Sequence, residues 1–291
     1  MSDMPCGRLT SPKPEAGTSS SSQTPQRHST VELTTEQLRA SCDALAALDP
    51  VIKRFIADHG YPLGSAPRPL SVFTLTRIIC GQQIGASQAK TISKRVEDLV
   101  VNDILPNREK PPAKKRKLDE EVEVEVKEED YGGMTTKPQE KALALDDATI
   151  ASKILKLDQA VLKSCGLSER KTAYIVGIAK AIDSGYLILN ELHKMDDASV
   201  EKTLVELKGI GPWSAHMLLM FSLGRQDIWP TGDEAVRGGL RVLFDLKKRD
   251  KKSVSLKQDV ELAEKTGERF IGHRSALAKL CYKAYGLKTN M

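Results

Sequence analysis

Leu204–Leu240 reads LVELKGIGPWSAHMLLMFSLGRQDIWPTGDEAVRGGL, a stretch with two helix boundaries and a carboxylate at the second of them. A helical pattern ends before Gly209, Ile210 and Gly211 break it. Pro212 then suits the first turn of a new helix, because the N–H it lacks would find no partner there. Trp213–Leu223 is apolar and helix-forming, and Gly224 can stop it. The spacing predicts a helix, a tight glycine hairpin and a second helix. Such a hairpin leaves the amides around Gly211 unpaired at a helix N-terminus, where they can hold an anion such as a phosphate. A short connection leads to Asp233, at the mouth of a further helix beginning at Glu234. A phosphate-holding hairpin one helix upstream of a carboxylate points to chemistry on DNA.

Outward from this stretch the pattern stays helical. Leu38, Leu45, Leu48, Ile52 and Phe55 recur at helical spacing up to Gly60, with a break at Asp49–Pro50. Leu70–Val101 reads as a long helical region containing GQQIGASQAKTISKRV (Gly81–Val96). Asp146–Leu155 and Asp158–Ser164 are short helices, and Ser168 is an N-cap candidate for ERKTAYIVGIAKAI, where Ala173, Ile175, Val176, Ile178 and Ala179 suit a packed face. Leu187–Lys194 reads as a connection, Asp197 as the cap of a helix over Ser199–Lys208. Val236–Leu246, Val260–Phe270 and His273–Tyr285, which includes HRSALAKLCY, complete the series. No strand pattern appears, so the class is all-α.

The 291 residues are 40% hydrophobic, enough for a core, and only 4% aromatic, so each of the two tryptophans is informative. A net charge of +5 fits a polyanionic partner. No apolar run approaches the roughly 20 residues of a membrane-spanning helix, and MSDMPCGRLT lacks the apolar core of a signal peptide. Cys6, Cys42, Cys80, Cys165 and Cys281 are scattered, which predicts free thiols in a reducing compartment and no iron–sulfur cluster.

Two segments stand apart. Residues 1–30 are rich in Ser, Thr, Pro and Gln and are expected to be disordered. Residues 105–141 form an insert without helical period, containing PPAKKRKLDEE and an acidic tract. Lys114, Lys115, Arg116 and Lys117 could be a solvated charge run, and they also match a nuclear localisation signal, readable by importin. The expected domain therefore comprises residues 31–104 and 142–291, acting in the nucleus.

LKGIGPWSA, GDEAVRGGL and the two flanking helices, in this order, resemble the helix–hairpin–helix superfamily of DNA glycosylases, in its 3-methyladenine (alkylated-base) branch. The resemblance implies two helical subdomains with the active-site cleft between them. It implies a monomer bound to double-stranded DNA containing damaged bases. Its catalytic aspartate matches Asp233, in GD-x-x-V-R, and not the neighbouring Glu234. Cleaving an N-glycosidic bond requires an extruded nucleotide, a base pocket and an anion beside the sugar as positive charge develops. Asp233 would be that anion; its structural alternative is a helix N-cap, and one side chain can do both.

By the same resemblance Trp213 and Tyr282 are pocket walls for a cationic alkylated purine, with Met217 lining the pocket. Tyr282 stands where relatives usually carry tryptophan; the alternative for both rings is a place in the core. Gln83 is the candidate wedge for the gap left by the extruded base, although glutamines there could equally bond a neighbouring loop. Gly209, Gly211, Lys208, Arg237 and Arg274 are candidate contacts to DNA. The carbonyls of Val205, Leu207 and Ile210 match positions where relatives hold Na⁺ or K⁺; no other cofactor is required. Trp213 also occupies the position of the lysine nucleophile of relatives that cut the strand. An indole forms no Schiff base, so a monofunctional enzyme is implied. The resemblance departs at Lys208, usually proline, at Gly85, usually serine, and in having no counterpart of the bacterial N-terminal β-domain. Two other classes remain alternatives: a non-catalytic damage-binding module, opposed by Asp233, and an oxidised-base glycosylase with lyase activity, opposed by Trp213.

Overall fold

The computed structural model describes residues 34–62, 68–103, 145–246 and 256–289. The serine-rich tail and the insert with Lys114–Lys117 lie outside them. All regular structure among the described residues is helical. Thr34 opens α1 (Thr35–Leu48) with a capping box: its hydroxyl accepts from Gln37 N, and the Gln37 amide oxygen accepts from Thr34 N. Asp49 ends α1 and caps α2 (Pro50–His59), as the Asp-Pro break predicts.

The predicted long helix over Leu70–Val101 is two helices, α3 (Val72–Gly81) and α4 (Ala86–Asn102), parted by a turn. Gln83 in that turn has φ +59°, a conformation incompatible with a continuing helix. Next come α5 (Asp147–Lys156), α6 (Gln159–Ser164) and α7 (Glu169–Asp183); Ser168 caps α7 as predicted, and Asp146 and Asp158, read as first helical residues, are the caps of α5 and α6. Ile175, Ile178 and Ala179 of α7 are buried, whereas Ala173 is exposed and Val176 only partly covered. Leu189–Lys194, read as a connection, is a 3₁₀ turn. The following cap is Asp196, not Asp197, and α8 (Asp197–Val205) stops short of the predicted Lys208. α9 (Pro212–Phe221), α10 (Glu234–Leu243), α11 (Leu256–Glu268) and α12 (Arg274–Thr289) follow.

The helices pack as two groups joined by the α8–α9 hairpin. In one, α3 to α7 pack on one another; in the other, α10 packs on α12, α11 and α2, and α1 packs on α2 and α12. Gly239 sets the closest approach in the second group: a Cβ there would lie 1.8 Å from the Cys281 carbonyl oxygen. Any larger residue would push α10 off α12 and displace the helix that begins at Asp233.

Arg225, buried after α9, fastens the hairpin's outer side. Its Nη2 donates to the carbonyls of Leu192, His193 and Met195 at 3.2, 3.2 and 2.8 Å. Trp229 is a core residue, its indole N–H donating to the Ala263 carbonyl at 2.8 Å. Cys42, Cys80, Cys165 and Cys281 are free, buried thiols. Burial pushes Cys42 and Cys80 up to about 12 and Cys165 up to about 11. They are protonated and unreactive at neutral pH.

Candidate active site

Asp233 is 8% exposed and caps α10. Its Oδ1 accepts from the backbone N–H of Ala235 at 2.7 Å and of Val236 at 3.3 Å. This is the helix-cap role weighed from the sequence, and it leaves Oδ2 for other partners. Oδ2 accepts from the Trp213 indole N–H at 2.6 Å and from the Tyr282 hydroxyl at 3.0 Å. All four donors are neutral. Among the described residues no Lys, Arg or His pairs with Asp233, so its charge is oriented without being cancelled. Beside it, burial pushes the Cys281 thiol up and the Asp233 carboxylate pushes it further.

The two aromatic candidates therefore have a second function besides any stacking: each holds the carboxylate. Trp213 is 47% exposed and so is not a core residue, and the N–H edge of its indole is fixed by Asp233. Tyr282 is half-buried, and its hydroxyl lies 3.6 Å from the Met217 sulfur. Trp213, Met217 and Phe221 succeed one another at four-residue spacing on α9 and so share one face. The Phe221 ring centroid lies 6.4 Å from that of Tyr282. The result is an apolar, polarisable strip that ends at the carboxylate. Phe221 was not among the sequence candidates, although its spacing from Met217 was a readable signal.

The hairpin and the Gln83 turn are fastened together. Gln82 Nε2 donates to the Gly209 carbonyl at 2.6 Å, and Lys171 Nζ donates to the carbonyls of Cys80 and Gln82 at 2.8 Å each. The loop-bonding role expected of the glutamine pair thus belongs to Gln82, and Gln83 points outward, exposed. No local pattern marked Lys171. Gly209 has φ +98°, and a Cβ on it would strike the Tyr174 ring at 2.4 Å, so glycine is required there. Gly211 is different: its φ is −98° and an added Cβ would meet nothing within 4 Å. Neither conformation nor packing requires glycine at that helix N-terminus, and its N–H donates to no backbone carbonyl among the described residues.

The remaining sequence candidates separate. Lys208 is exposed beside the hairpin. The Arg237 guanidinium donates to the Thr231 carbonyl at 2.7 Å, and Arg274 forms a two-pronged pair with Asp227 at 2.7 and 2.8 Å. The structure commits both arginines to protein contacts. The carbonyls of Val205 and Ile210 accept no hydrogen bond among the described residues, and that of Leu207 accepts one, from Ile210 N. Neutral carbonyl oxygens with spare lone pairs fit a hard monovalent cation.

No family model matches the chain. A DNA-3-methyladenine glycosylase of Schizosaccharomyces pombe is 36% identical over 105 residues, 36% of this chain and 46% of that relative. One of Bacillus subtilis is 30% identical over 112 residues, 38% of this chain and 37% of the relative. The matched stretch thus spans less than half the length of these curated relatives. Among solved structures, a DNA-3-methyladenine glycosidase of Bacillus halodurans superposes with a TM-score of 0.60 at 23% identity, covering 86% of this chain and 91% of that one. An S. pombe 3-methyladenine DNA glycosylase in complex with abasic DNA superposes with a TM-score of 0.56 at 22% identity, covering 84% and 95%. The chain thus has the fold of these solved glycosylases, and over about a third of its length it is similar in sequence to DNA-3-methyladenine glycosylases.

Proposed function

We propose that this protein is a monofunctional DNA glycosylase that hydrolyses the N-glycosidic bond of alkylated purines extruded from duplex DNA, the first step of base excision repair. One observation carries the reading: Asp233 is fixed by four neutral donors and paired with no cation among the described residues.

As the bond to the base lengthens, positive charge grows on the sugar, and an anion already in position stabilises it without reorganising. The indole N–H and the phenol hold that anion in place. An alkylated purine is itself cationic and a good leaving group, and the exposed indole of Trp213 would offer it a stacking surface. The Gly211 N–H, without a backbone acceptor among the described residues, supports a phosphate contact, and the exposed Gln83, on a turn tied to the hairpin, supports a wedge. The carbonyls of Val205, Leu207 and Ile210 would hold Na⁺ or K⁺, which would stiffen the hairpin. Nuclear entry through Lys114–Lys117 belongs to the same reading, and deleting 107–136 should send a tagged protein out of the nucleus while base release persists.

The test is incubation of the purified protein with methylated duplex DNA, with released bases identified by chromatography. Free 3-methyladenine should appear, the strand should stay whole until heated in alkali, and borohydride should trap no protein–DNA adduct. Tight binding without release would favour a damage-binding module. Strand cleavage with a trapped lysine would favour a lyase.

A further inference from the structure

The strip of Trp213, Met217, Phe221 and Tyr282 has a second end, away from Asp233, and a cation lies there. Lys279 stands on α12 three residues before Tyr282, on the same side of that helix. It is 6% exposed, in a helix whose neighbouring positions Leu277, Ala278, Leu280 and Cys281 are buried and uncharged. Its Nζ lies 5.2 Å from the Phe221 ring centroid, on the ring that approaches Tyr282. Among the described residues the titratable group that acts on it is the Cys42 thiol of α1, which burial keeps protonated and neutral. Among the described residues no carboxylate pairs with it. A buried, unpaired ammonium opposes folding, and a methionine would fill the space at less cost. Packing therefore does not account for Lys279.

Resting on the glycosylase reading above, we propose that Lys279 is a specificity-determining residue. Its amine, at the inner end of the aromatic strip, donates to a carbonyl oxygen on a neutral purine such as hypoxanthine and opposes the cationic ring of 3-methyladenine. Two physical effects act together. An ammonium facing a carbonyl acceptor forms a charge-assisted hydrogen bond. The same ammonium already occupies the π-face of Phe221 and repels a second cation brought alongside. Lys279 is not a nucleophile in this scheme. The sugar must sit at Asp233, which Tyr282 bonds, whereas the amine lies against Phe221, at the other end of the strip.

The experiment compares single-turnover release of hypoxanthine from an inosine-containing duplex with release of 3-methyladenine from methylated DNA. Wild type, Lys279→Met and Lys279→Arg are used, each with a melting curve. Lys279→Met should melt no lower than wild type, because it removes a buried charge. Its hypoxanthine-to-3-methyladenine ratio should fall by about tenfold or more, the loss typical of a hydrogen bond to a charged group. Lys279→Arg should restore part of the ratio. Should Lys279→Met unfold, Lys279→Gln, which keeps a neutral donor, replaces it and should show a smaller fall. An unchanged ratio with active wild type overturns the role of Lys279 alone, as does a wild type that releases 3-methyladenine but no hypoxanthine. A wild type that releases neither base overturns the glycosylase reading and this inference with it.

Discussion

Asp227 and Asp233 lie within one loop and both accept backbone N–H groups at the start of a helix, Asp227 from Gly272 and Arg274 and Asp233 from Ala235 and Val236. They differ in what completes each shell. Both oxygens of Asp227 face the Arg274 guanidinium, so its charge is spent on holding α12 in place. The free oxygen of Asp233 faces an indole N–H and a phenol, which orient a charge without cancelling it. The role proposed for Asp233, meeting positive charge on a substrate, needs the second arrangement. The first would compete with the substrate for every lone pair.

The sharpest way to break this comparison is to remove the charge at Asp233. In Asp233→Asn the amide oxygen can still cap α10, so the –NH₂ is turned toward the Trp213 N–H, donor against donor. Base release should fall by about 10²–10³, with a loss of about 1–3 kcal/mol in stability from the mismatched donors. Binding to DNA with a non-cleavable abasic analogue should persist. A folded variant that still releases hypoxanthine as the wild type does would remove Asp233 from catalysis.

The mirror experiment is Asp227→Ala. It strands the Arg274 guanidinium and the Gly272 amide, and should lower stability by about 2–4 kcal/mol in denaturant titration. Base release per folded molecule should change little at a temperature where the variant is folded. A catalytic loss as large as that of Asp233→Asn would erase the distinction between the two carboxylates.

Tyr282→Phe sharpens the claim that neutral donors orient the charge. The ring and its place beside Phe221 remain, while the hydroxyl's bond to Oδ2 and its contact with the Met217 sulfur go. Losing one such bond is worth about 1 kcal/mol, so release should slow by roughly fivefold with KM nearly unchanged. A wild-type rate would show that Trp213 and the cap suffice to hold the carboxylate.

The smallest expected effect concerns pH. Burial holds the Lys279 amine below the ordinary lysine range. Between its folded and unfolded values, the unfolded chain keeps a proton that the folded chain has lost. This group's contribution to stability therefore rises with pH across that alkaline window. Lys279→Met should remove that part of the slope, measurable as the difference between the two proteins' pH-dependent denaturation midpoints.

Much of this molecule was legible from local patterns. Ser168 declared a helix start, and the helices read from Asp146 and Asp158 begin there, because a cap is a contact between a side chain and amides two or three residues away. The glycine hairpin, Pro212 and the place of Asp233 at a helix mouth were readable for the same reason. The break in Leu70–Val101 was harder to see: Gln83 adopts a positive φ that its residue type does not announce, and Lys171 and Gln82 hold the turn from afar. The sequence by itself thus determined the helical class, the hairpin and the place of Asp233 at a helix mouth. Only the tertiary structure decided what surrounds that carboxylate, since its partners lie 20 and 49 residues away along the chain. It also turned Arg237 and Arg274 into structural ties and placed Lys279 at the end of the aromatic strip. The physical reason is range. Caps and turns are set by neighbours within a few residues, whereas a charge becomes useful or is neutralised according to what folding brings within about 3 Å of it.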